Sequence, residues 1–594
     1  MKKIVSYIPV TLAIIAFFLI WIFLQKNQEF LFYYREQQQV FLFDVDFLVD
    51  RYVTLGGLSL FVTQFLTQFF TVHYLGAAIT AALCVLAGWL FWLSLRKLNS
   101  SVWLFPLCLI PLIFEIDGLN DYYYSLQSVT SFLFVMLFFR IYTAEVSEMK
   151  PVIRVVTGCT FSLLLFLFAG SVALLFSVLV LLFDLFNRSK AWYFQFLSVL
   201  TVIACGIIAV HAGVIELYRF VFTNDFNYEP ILKPDVSTGY SWYMAVACFI
   251  FFVITRYVKI QKPVIQLVSA IVLFLLVGYG YHHFASRNPK DNMYDIAVLQ
   301  HYVVTEEWDK LLQSGRIRSN NYLLMNYATL ALSHKGQLLN RILDYRPRDP
   351  FVLAVGGDKS NLVADLTVFL SDVYYQMGNV ASAQNKAFDS SVGLRYGNPS
   401  ILKMLVKTNL IYGQFPIAEK YLRMLSKTWF YKGWAERMRH FLNNDKAIEA
   451  DPELGMKRKD LTKKDSFTLL DGPFVDLVNI IEANPHDRAA VEYAIAYLLL
   501  ARDKDTTNRF VEEFYGTDAL KTLPRILQEG MLVFNENDFE YCRQYGVTDE
   551  TIKKYVDFKN KFFSAQRARR NPVAVLKSEY GRTYWFYFLF NNAR

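Results

Sequence analysis

The sequence predicts an all-α protein in which a polytopic bundle of about nine transmembrane helices precedes a soluble domain of helical repeats. Of the 594 residues, 54% are hydrophobic and the mean hydropathy is +0.27, which is too apolar for an ordinary soluble protein. Long apolar runs are confined to the residues before His283, whereas charged residues become dense after it. The second half also repeats a short glycine and alanine pattern at a 35-residue spacing.

The predicted spans begin at the N-terminus. Residues 4–24 follow Lys2 and Lys3 and are longer than the hydrophobic region of a secretion signal, with no small-residue cleavage site, so we expect a retained first span. Further spans are predicted at residues 75–95, 102–116, 128–142, 155–169, 171–186, 192–210, 243–258 and 264–281.

Residues 155–186 determine the orientation of everything that follows. As one helix they would reach roughly 48 Å, against a hydrocarbon core of about 30 Å. Ala169, Gly170 and Ser171 interrupt the run with small residues at which the chain can turn. We therefore expect a helical hairpin, which gives nine crossings and places the two ends of the chain on opposite sides.

The basic residues favour one orientation. Twelve Lys and Arg residues lie in segments that nine crossings place in the cytoplasm, against five outside, which obeys the positive-inside rule. The N-terminus is therefore expected in the cytoplasm and the C-terminal domain outside. The spans contain almost no ionisable groups, and Asp184 is expected at a cytoplasmic edge within reach of water, which argues against a pump.

Residues 1–282 form the predicted transmembrane domain, with acidic outer loops at residues 25–74 and 211–242. In the first loop, Gly56 and Gly57 open an apolar stretch in which Gln64 and Gln68 are four residues apart. This pattern suits a helix lying on or dipping into the outer membrane surface.

The first outer loop also contains the catalytic candidates Glu36, Asp44 and Asp46. Asp44 and Asp46 would share a face on an extended segment, whereas Asp46 and Asp50 would share one on a helix. Either arrangement could hold a divalent cation or supply a general base beside the membrane. The alternative is that these acids solvate a loop, cap helices or pair with neighbouring arginines.

Other chemistry finds little support. The sequence has no Walker A, His-Glu-x-x-His, Cys-x-x-Cys or Gly-x-Ser-x-Gly motif, so no metal site and no cofactor is predicted from motifs. The net charge of +8 is too mild to indicate nucleic-acid binding. Five of the six cysteines lie in apolar segments, which leaves Cys542 without a partner for a disulfide in the soluble half.

Two units of the second half align. Gly378 is followed five residues later by Ala383, and Gly413 is followed in the same way by Ala418. Glycine allows a tight turn between paired helices, and the small alanine lets the second helix pack closely on the first. The candidate packing residues are Tyr375, Gly378, Ala383, Gly413, Ala418 and Tyr421. The pattern resembles the tetratricopeptide repeat. A weaker earlier unit contains Gly336 and is preceded by Glu306, and a weaker later one lies at residues 493–510.

The second half is divided accordingly. Residues 283–442 are predicted to form the tetratricopeptide-like repeats, residues 443–472 a charged linker in which Lys457 and its basic neighbours are solvated, and residues 473–594 a C-terminal helical domain. The aromatic stretch at residues 580–590 is expected to be buried, either closing the helical stack or touching the membrane surface.

Two further resemblances concern the whole chain or its first half. Similarity to a family of uncharacterised Bacteroidetes multispan proteins rests on Arg35-Glu36-Gln37 through Phe41-Leu42, Gly56-Gly57-Leu58, Phe65-Leu66-Thr67-Gln68-Phe69 and Trp308-Asp309-Lys310, and it implies a bacterial inner membrane. The architecture of residues 1–282 resembles the GT-C glycosyltransferases. That resemblance implies a polyprenyl-linked sugar substrate, possible use of a divalent cation, and a catalytic acid mapping to Asp44 and Asp46 or to Glu36.

The leading functional hypothesis is a scaffold in envelope assembly, because helical repeats form concave surfaces that bind peptides or partner domains. Its partners would be membrane lipid and a protein bound through the repeats, and its C-terminal domain would be periplasmic. The alternative is a membrane glycosyltransferase of the GT-C type, although the sequence lacks a Trp-Trp-Asp motif and an adjacent pair of acids.

Overall fold

The structure is a computed structural model that describes residues 2–121, 124–215, 239–258, 260, 262–285, 291–317, 320–355, 364–393, 397–463, 473–536 and 538–590. In these ranges the regular elements are helices, and an isolated β-bridge joins Tyr515 and Leu520. The chain divides into two compact units. The first comprises Met1–Glu36 and Phe41–Ala297, and the second comprises Gln37–Val40 and Val298–Arg594.

The first unit consists of long apolar helices. They are α1 (Lys2–Gln37), α2 (Val45–Tyr52), α3 (Gly57–Thr67), α4 (Leu75–Leu95), α5 (Ile110–Gly118), α6 (Gln127–Ile141), α7 (Pro151–Ala169), α8 (Ala173–Phe186), α9 (Trp192–His211), α10 (Gly239–Ile254) and α11 (Pro263–Ala285). Short 3-10 helices occupy Gln68–Thr71, Val102–Leu109, Gly170–Val172 and Thr255–Tyr257, and a π-helix occupies Tyr142–Val146.

Within the described residues, seven helices are long and apolar enough to cross a membrane: Tyr7–Gln37, Leu75–Leu95, Gln127–Val146, Pro151–Phe186, Trp192–His211, Gly239–Tyr257 and Pro263–His283. Their polar side chains point inward and their large apolar side chains point outward, which is the opposite of the arrangement on the surface of a water-soluble protein. In α9, Gln195 and Ser198 are buried, whereas Phe194 and Ile208 are 63% and 65% exposed. Such a surface suits contact with hydrocarbon rather than with water.

The predicted hairpin within residues 155–186 is confirmed. Gly170 has a φ of 79° and ends α7, and α8 begins three residues later. Across the turn, the hydroxyl oxygens of Ser162 and Ser177 lie 2.8 Å apart, whereas fifteen residues of one continuous helix would separate them by roughly 22 Å. The two helices are therefore antiparallel neighbours.

The predicted span at residues 102–116 is not a long helix. Its first part is the 3-10 helix Val102–Leu109, which contains Pro106, and its second part is the nine-residue α5 with Pro111 at its start. Proline has no N–H to donate to an α-helical bond, which explains the irregular backbone. This segment is irregular, and the hairpin at residues 151–186 counts as one apolar run, so the described residues contain seven helical runs of spanning length. The number of crossings stays a prediction.

The second unit is also helical where it is described. After α12 (Asp291–Val304), its helices are α13 (Trp308–Gln313), α14 (Tyr322–His334), α15 (Leu338–Arg341), α16 (Ala364–Gln376), α17 (Val380–Gly393), α18 (Pro399–Ile411), α19 (Phe415–Ser426), α20 (Lys432–Met438), α21 (Asp445–Ala450), α22 (Leu454–Lys459), α23 (Phe474–Ala483), α24 (Arg488–Ala501), α25 (Lys504–Phe514), α26 (Arg525–Phe534), α27 (Phe539–Gln544), α28 (Asp549–Arg567), α29 (Pro572–Tyr580) and α30 (Tyr584–Phe590). The predicted loop at residues 211–242 falls mainly on residues 216–238, which lie outside the described ranges.

Four helix pairs of the second unit are joined by the same turn. The residue at the turn has a positive φ in each pair: Glu306, Gly336, Gly378 and Gly413. The N–H of the following residue donates to the carbonyl five positions earlier, at 2.8 to 2.9 Å, which is the Schellman arrangement at a helix end. Because the next helix begins at once, each turn reverses the chain within about three residues.

The predicted packing residues of the repeats lie in the core of the second unit. Ala383 and Ala418 are fully buried, and Tyr375 and Tyr421 are also buried. The hydroxyl of Ser371 on α16 donates to the Ala383 carbonyl on α17 at 2.8 Å, so the two helices approach closely where alanine presents its small side chain.

The prediction of a solvated linker is wrong for residues 445–459, which form α21 and α22. Lys457 is buried, and its ammonium donates to the Gln376 carbonyl at the end of α16 at 3.2 Å. Arg458 donates to the Leu410 and Ile411 carbonyls at the end of α18, at 2.8 and 3.1 Å. These cations satisfy carbonyls that a helix end leaves unbonded. Residues 464–472 lie outside the described ranges.

The aromatic end of the chain packs within the second unit. Tyr584, Trp585 and Tyr587 on α30 are buried. The hydroxyl of Tyr584 donates to the Leu499 carbonyl at 2.6 Å, and its backbone N–H donates to Glu529 at 2.6 Å. Of the two alternatives for this stretch, the structure shows the one in which it closes the helical stack.

The turn glycines give a graded prediction. Gly413→Ala adds a Cβ in open space, so only the left-handed backbone is penalised, by about 1 kcal/mol. Gly378→Ala also places a Cβ 3.0 Å from Asp460 and 3.1 Å from Ile480, so we expect it to cost more, roughly 2 kcal/mol. Urea-dependent proteolysis of the purified full chain measures the apparent free energy of unfolding.

Gly433→Ala is the matched control, because Gly433 lies inside α20 and its Cβ would come no nearer than 3.9 Å to another side chain. Alanine is the better helix former, so this variant should be neutral or more stable. Equal destabilisation by all three substitutions would contradict the proposed role of the turns.

Candidate functional site

The three predicted catalytic acids occupy different environments in the first unit. Glu36 lies in the last turn of α1 and is buried. Asp44 immediately precedes α2, has an extended backbone and is partly exposed. Asp46 lies in the first turn of α2 and is exposed. The sequence therefore identified one buried acid and two accessible ones.

The helical alternative for the acidic pattern is the one observed. Asp46 and Asp50 are four residues apart on α2 and so share one face of it. Asp44 occupies the N-cap position but makes no side-chain capping bond to α2. Among the described residues, no three His, Cys, Asp or Glu side chains lie close enough together to hold a metal ion.

A further carboxylate, which the sequence analysis did not single out, lies at the centre of a buried polar group. Glu115 on α5 is 1% exposed. It accepts hydrogen bonds from Tyr124 at 3.0 Å, from Ser128 on α6 at 2.6 Å and from Ser241 on α10 at 2.6 Å. We call these four residues the Glu115 cluster, and it joins three helices around one side chain.

The end of α1 is bonded to the segment that follows Glu115. Gln28 donates to the side-chain oxygen of Asn120 at 2.7 Å. The guanidinium of Arg35 is buried and donates to the carbonyls of Leu119 and Asp121 at 2.6 and 3.2 Å. Arg35 therefore binds backbone oxygens at the end of α5, and Glu36, its neighbour in sequence, lies at the same end of α1.

A second polar seam joins α3 to α6. The amide of Gln127 donates to the Gly56 carbonyl at 3.1 Å and to the Ser59 hydroxyl at 3.0 Å. The hydroxyl oxygens of Thr63 and Thr130 lie 2.6 Å apart. These bonds satisfy side chains that are buried among apolar helices, where each unpaired polar group would be costly.

The chemistry available to the Glu115 cluster follows from its donors. A carboxylate among apolar helices is costly unless it is protonated or hydrogen-bonded. Three hydroxyl groups satisfy its oxygens at hydrogen-bond distance. The cluster can therefore anchor the ends of α5, α6 and α10.

The expectation that Asp184 reaches water is wrong. Asp184 on α8 is fully buried, and it forms an ion pair with Arg154 on α7. Its second oxygen accepts a hydrogen bond from Tyr142 at 2.7 Å. The physical reason is pairing: two opposite charges on adjacent helices satisfy each other inside the protein, so neither needs to reach the membrane surface.

One signal in the sequence could have identified Glu115. It belongs to the apolar segment at residues 102–116, and an acid inside such a segment indicates a functional or bonded group. Its partner Ser241 is 126 residues away, and no local pattern links the two.

The second unit contains a separate buried cluster beside the Gly378 turn. Lys457 lies 2.8 Å from Asp487 and 3.3 Å from Asp460. Burial, together with the charge of Asp487, raises the pKa of Asp460 to about 7. Burial also opposes ionisation of Asp487, but the charge of Lys457 and the hydrogen bonds from its neighbours together outweigh burial, so the pKa of Asp487 lies below its usual value. One lysine thus holds two carboxyl groups of unequal acidity.

The apolar helices of the first unit, with their outward apolar side chains, are consistent with a membrane protein. The described part of the second unit is helical and contains repeated turns. The chain belongs to the Family of unknown function (DUF6057), whose sequence model matches residues 3–591. The match confirms that an uncharacterised family covers the whole chain. No curated protein matches the chain, and no solved structure does.

The buried ion pair gives a testable prediction. Asp184→Ala leaves the Arg154 guanidinium buried without its charge partner, so we expect a loss of about 3–5 kcal/mol of stability. Arg154→Met combined with Asp184→Leu removes both charges and keeps similar volumes, so it should recover most of that loss. Thermal denaturation of the detergent-purified protein, followed by size-exclusion chromatography, measures the difference. A double variant as unstable as Asp184→Ala would argue against the pair.

Proposed function

We propose that the protein is an integral inner-membrane protein whose second unit is a tetratricopeptide-like scaffold that binds a protein partner in cell-envelope assembly. The observation that carries this proposal is the turn repeated at Glu306, Gly336, Gly378 and Gly413. Consecutive helix pairs with one turn geometry stack side by side and present a continuous surface, and such surfaces bind peptides and partner domains.

The topology we propose has nine crossings, with the N-terminus in the cytoplasm and the second unit in the periplasm. The antiparallel hairpin of α7 and α8 supports two crossings within residues 151–186. The 3-10 helix Val102–Leu109 and α5 together reach roughly 30 Å, which is enough to cross the hydrocarbon core. The distribution of basic residues supports the orientation.

The partner surface we propose lies on the two aligned repeats. Phe388 on α17, Tyr412 at the end of α18 and Ile417 on α19 are 41%, 37% and 41% exposed. The proposed surface is one apolar patch formed by these three side chains of successive helices, because contiguous exposed apolar patches mark sites of protein binding.

Site-directed photo-cross-linking tests the scaffold. A photoreactive amino acid in place of Phe388 or Ile417 should yield a discrete protein adduct in living cells, whereas the same group in place of the exposed Val575 on α29 should not. Ile417→Glu places a charge on the surface and should reduce the adduct formed from position 388 by about tenfold, which corresponds to 1.4 kcal/mol. Adducts only with lipid-linked sugar would count against the scaffold.

The alternative function is a membrane glycosyltransferase of the GT-C type, with a polyprenyl-linked sugar substrate and a divalent cation. The observation that favours it is the buried carboxylate of Glu36, close in sequence to the accessible Asp44 and Asp46. General acid and base catalysis uses carboxyl groups in unlike environments, and Glu36 differs from Asp44 and Asp46 in burial.

Alanine substitution separates the two functions. For a scaffold, Asp44→Ala combined with Asp46→Ala should leave the envelope phenotype of the intact gene unchanged, because neither side chain lies in the second unit. Ile417→Glu should instead reproduce the phenotype of a gene deletion. Immunoblotting confirms that both variants accumulate in the membrane. The reverse pattern, with loss of function only in the double alanine variant, would favour the enzyme.

A further inference from the structure

Helix α3 of the first unit is amphipathic in the reverse sense to a helix in water. Its buried residues are Gly57, Ser59, Thr63, Gln64 and Thr67, all of which are small or polar. Its large apolar residues, which include Phe61 and Phe65, remain partly exposed. A helix that met water on its outer side would place these two groups of residues the other way round.

The polar side of α3 needs no water because its groups are satisfied within the protein. Arg51 on α2 donates to the side chain of Gln64 at 2.9 Å. The hydroxyl of Thr63 donates to the Ser59 carbonyl at 2.7 Å and lies 2.6 Å from the hydroxyl of Thr130. Complete internal bonding is what a helix requires where the surroundings cannot hydrogen-bond.

The start of α3 lies against the turn of the α7–α8 hairpin. The backbone N–H of Gly56 donates to the Leu167 carbonyl at 3.0 Å. A Cβ on Gly56 would lie 3.5 Å from the carbonyl carbon of Ala169 and 3.6 Å from the nitrogen of Gly170. These contacts are of ordinary van der Waals length, whereas the φ of 72° at Gly56 disfavours a larger residue. Helix α3 is therefore fixed to helices of spanning length, α6 and α7.

The distribution of charge separates α3 from α2. Residues 52–95 contain no Asp, Glu, Lys or Arg, so α3 has no charged side chain. Helix α2 has Asp46 and Asp50 on one face, although its other exposed residues include Val45 and Val49, at 71% and 55% exposure. Carboxylates belong at the level of the lipid headgroups, and an uncharged apolar face belongs among the acyl chains.

We propose that α3 is a re-entrant helix whose apolar face contacts the acyl chains of one leaflet, while α2 lies beside it at the headgroup level. Eleven residues of α-helix reach roughly 16 Å, about half of the hydrocarbon core, so α3 enters and leaves on the same side. Phe61 and Phe65 each pack on the ring of Phe41 within this unit. The occupant of the part of the face that stays exposed is phospholipid, because this face has no charged side chain and the polar side of α3 already contacts α6 and α7. The inference does not depend on the proposed scaffold.

Spin-label accessibility tests this placement. Nitroxides are attached one at a time at Phe61→Cys and Phe65→Cys, in protein whose native cysteines are replaced and which is reconstituted into phosphatidylcholine vesicles. Ile208→Cys on the exposed face of α9 is the lipid standard, and Lys504→Cys on α25 is the aqueous standard. We expect oxygen accessibility at α3 to exceed that at Lys504, as at Ile208, and accessibility to the polar nickel reagent to be roughly tenfold below that at Lys504.

Each other result overturns the placement. High accessibility to the nickel reagent would place α3 in water, and low accessibility to both reagents would place it against protein, such as a second copy of the chain.

A second measurement uses the unaltered protein in vesicles whose phosphatidylcholine has a diazirine near the end of one acyl chain. Carbene insertion should occur at outward residues such as Phe61 and not at Ser59 or Thr63. Insertion into α9 without insertion into α3 would refute the proposal.

Discussion

Hydrocarbon offers no hydrogen-bond partner, and this constraint determines which way the side chains of the first unit face. Polar residues that would solvate a surface helix in water are buried instead, as Gln195 is on α9 and Thr63 is on α3. Three of the buried polar groups are bonded across helices: Gln127 to Gly56, Glu115 to Ser241 and Arg154 to Asp184. The polar contacts thereby fix which helices are neighbours, while the apolar residues remain free to meet lipid.

The second unit follows a different constraint, which belongs to the backbone. A chain that reverses within about three residues needs one residue with a positive φ, and Gly336, Gly378 and Gly413 supply it at little steric cost. Close packing then depends on the small side chains of Ala383 and Ala418. The helices before these turns end in backbone carbonyls that accept hydrogen bonds from Lys457 and Arg458, which lie elsewhere in the unit.

The sequence predicts features that depend on neighbouring residues. The break at Gly170 and the turns at Gly378 and Gly413 could be predicted, because glycine between apolar helices is a local signal. The turn at Glu306 was recognised only as a weak relative, since glutamate rarely adopts a positive φ. The contact of Lys457 with a carbonyl 81 residues earlier has no local signature, so a buried residue was mistaken for a solvated one.

Prediction of the candidate site was limited in the same way, because its contacts join residues that are far apart in the sequence. Glu36, Asp44 and Asp46 were found from their position in an acidic loop, but their unequal burial depends on how α1 and α2 pack. The hydroxyl partners of Glu115 come from three separate segments, one of them 126 residues away. Neither composition nor periodicity contains that information, whereas both sufficed for the all-helical fold class.

The pairing of Arg154 with Asp184 has a consequence for biosynthesis. Each charge lies on a different arm of the hairpin, and inserting either arm alone would expose an unpaired charge to lipid at about 2.5–3.5 kcal/mol. We therefore expect α7 to leave the translocation machinery only after α8 has been synthesised. Both arms then enter the bilayer together, with their charges paired.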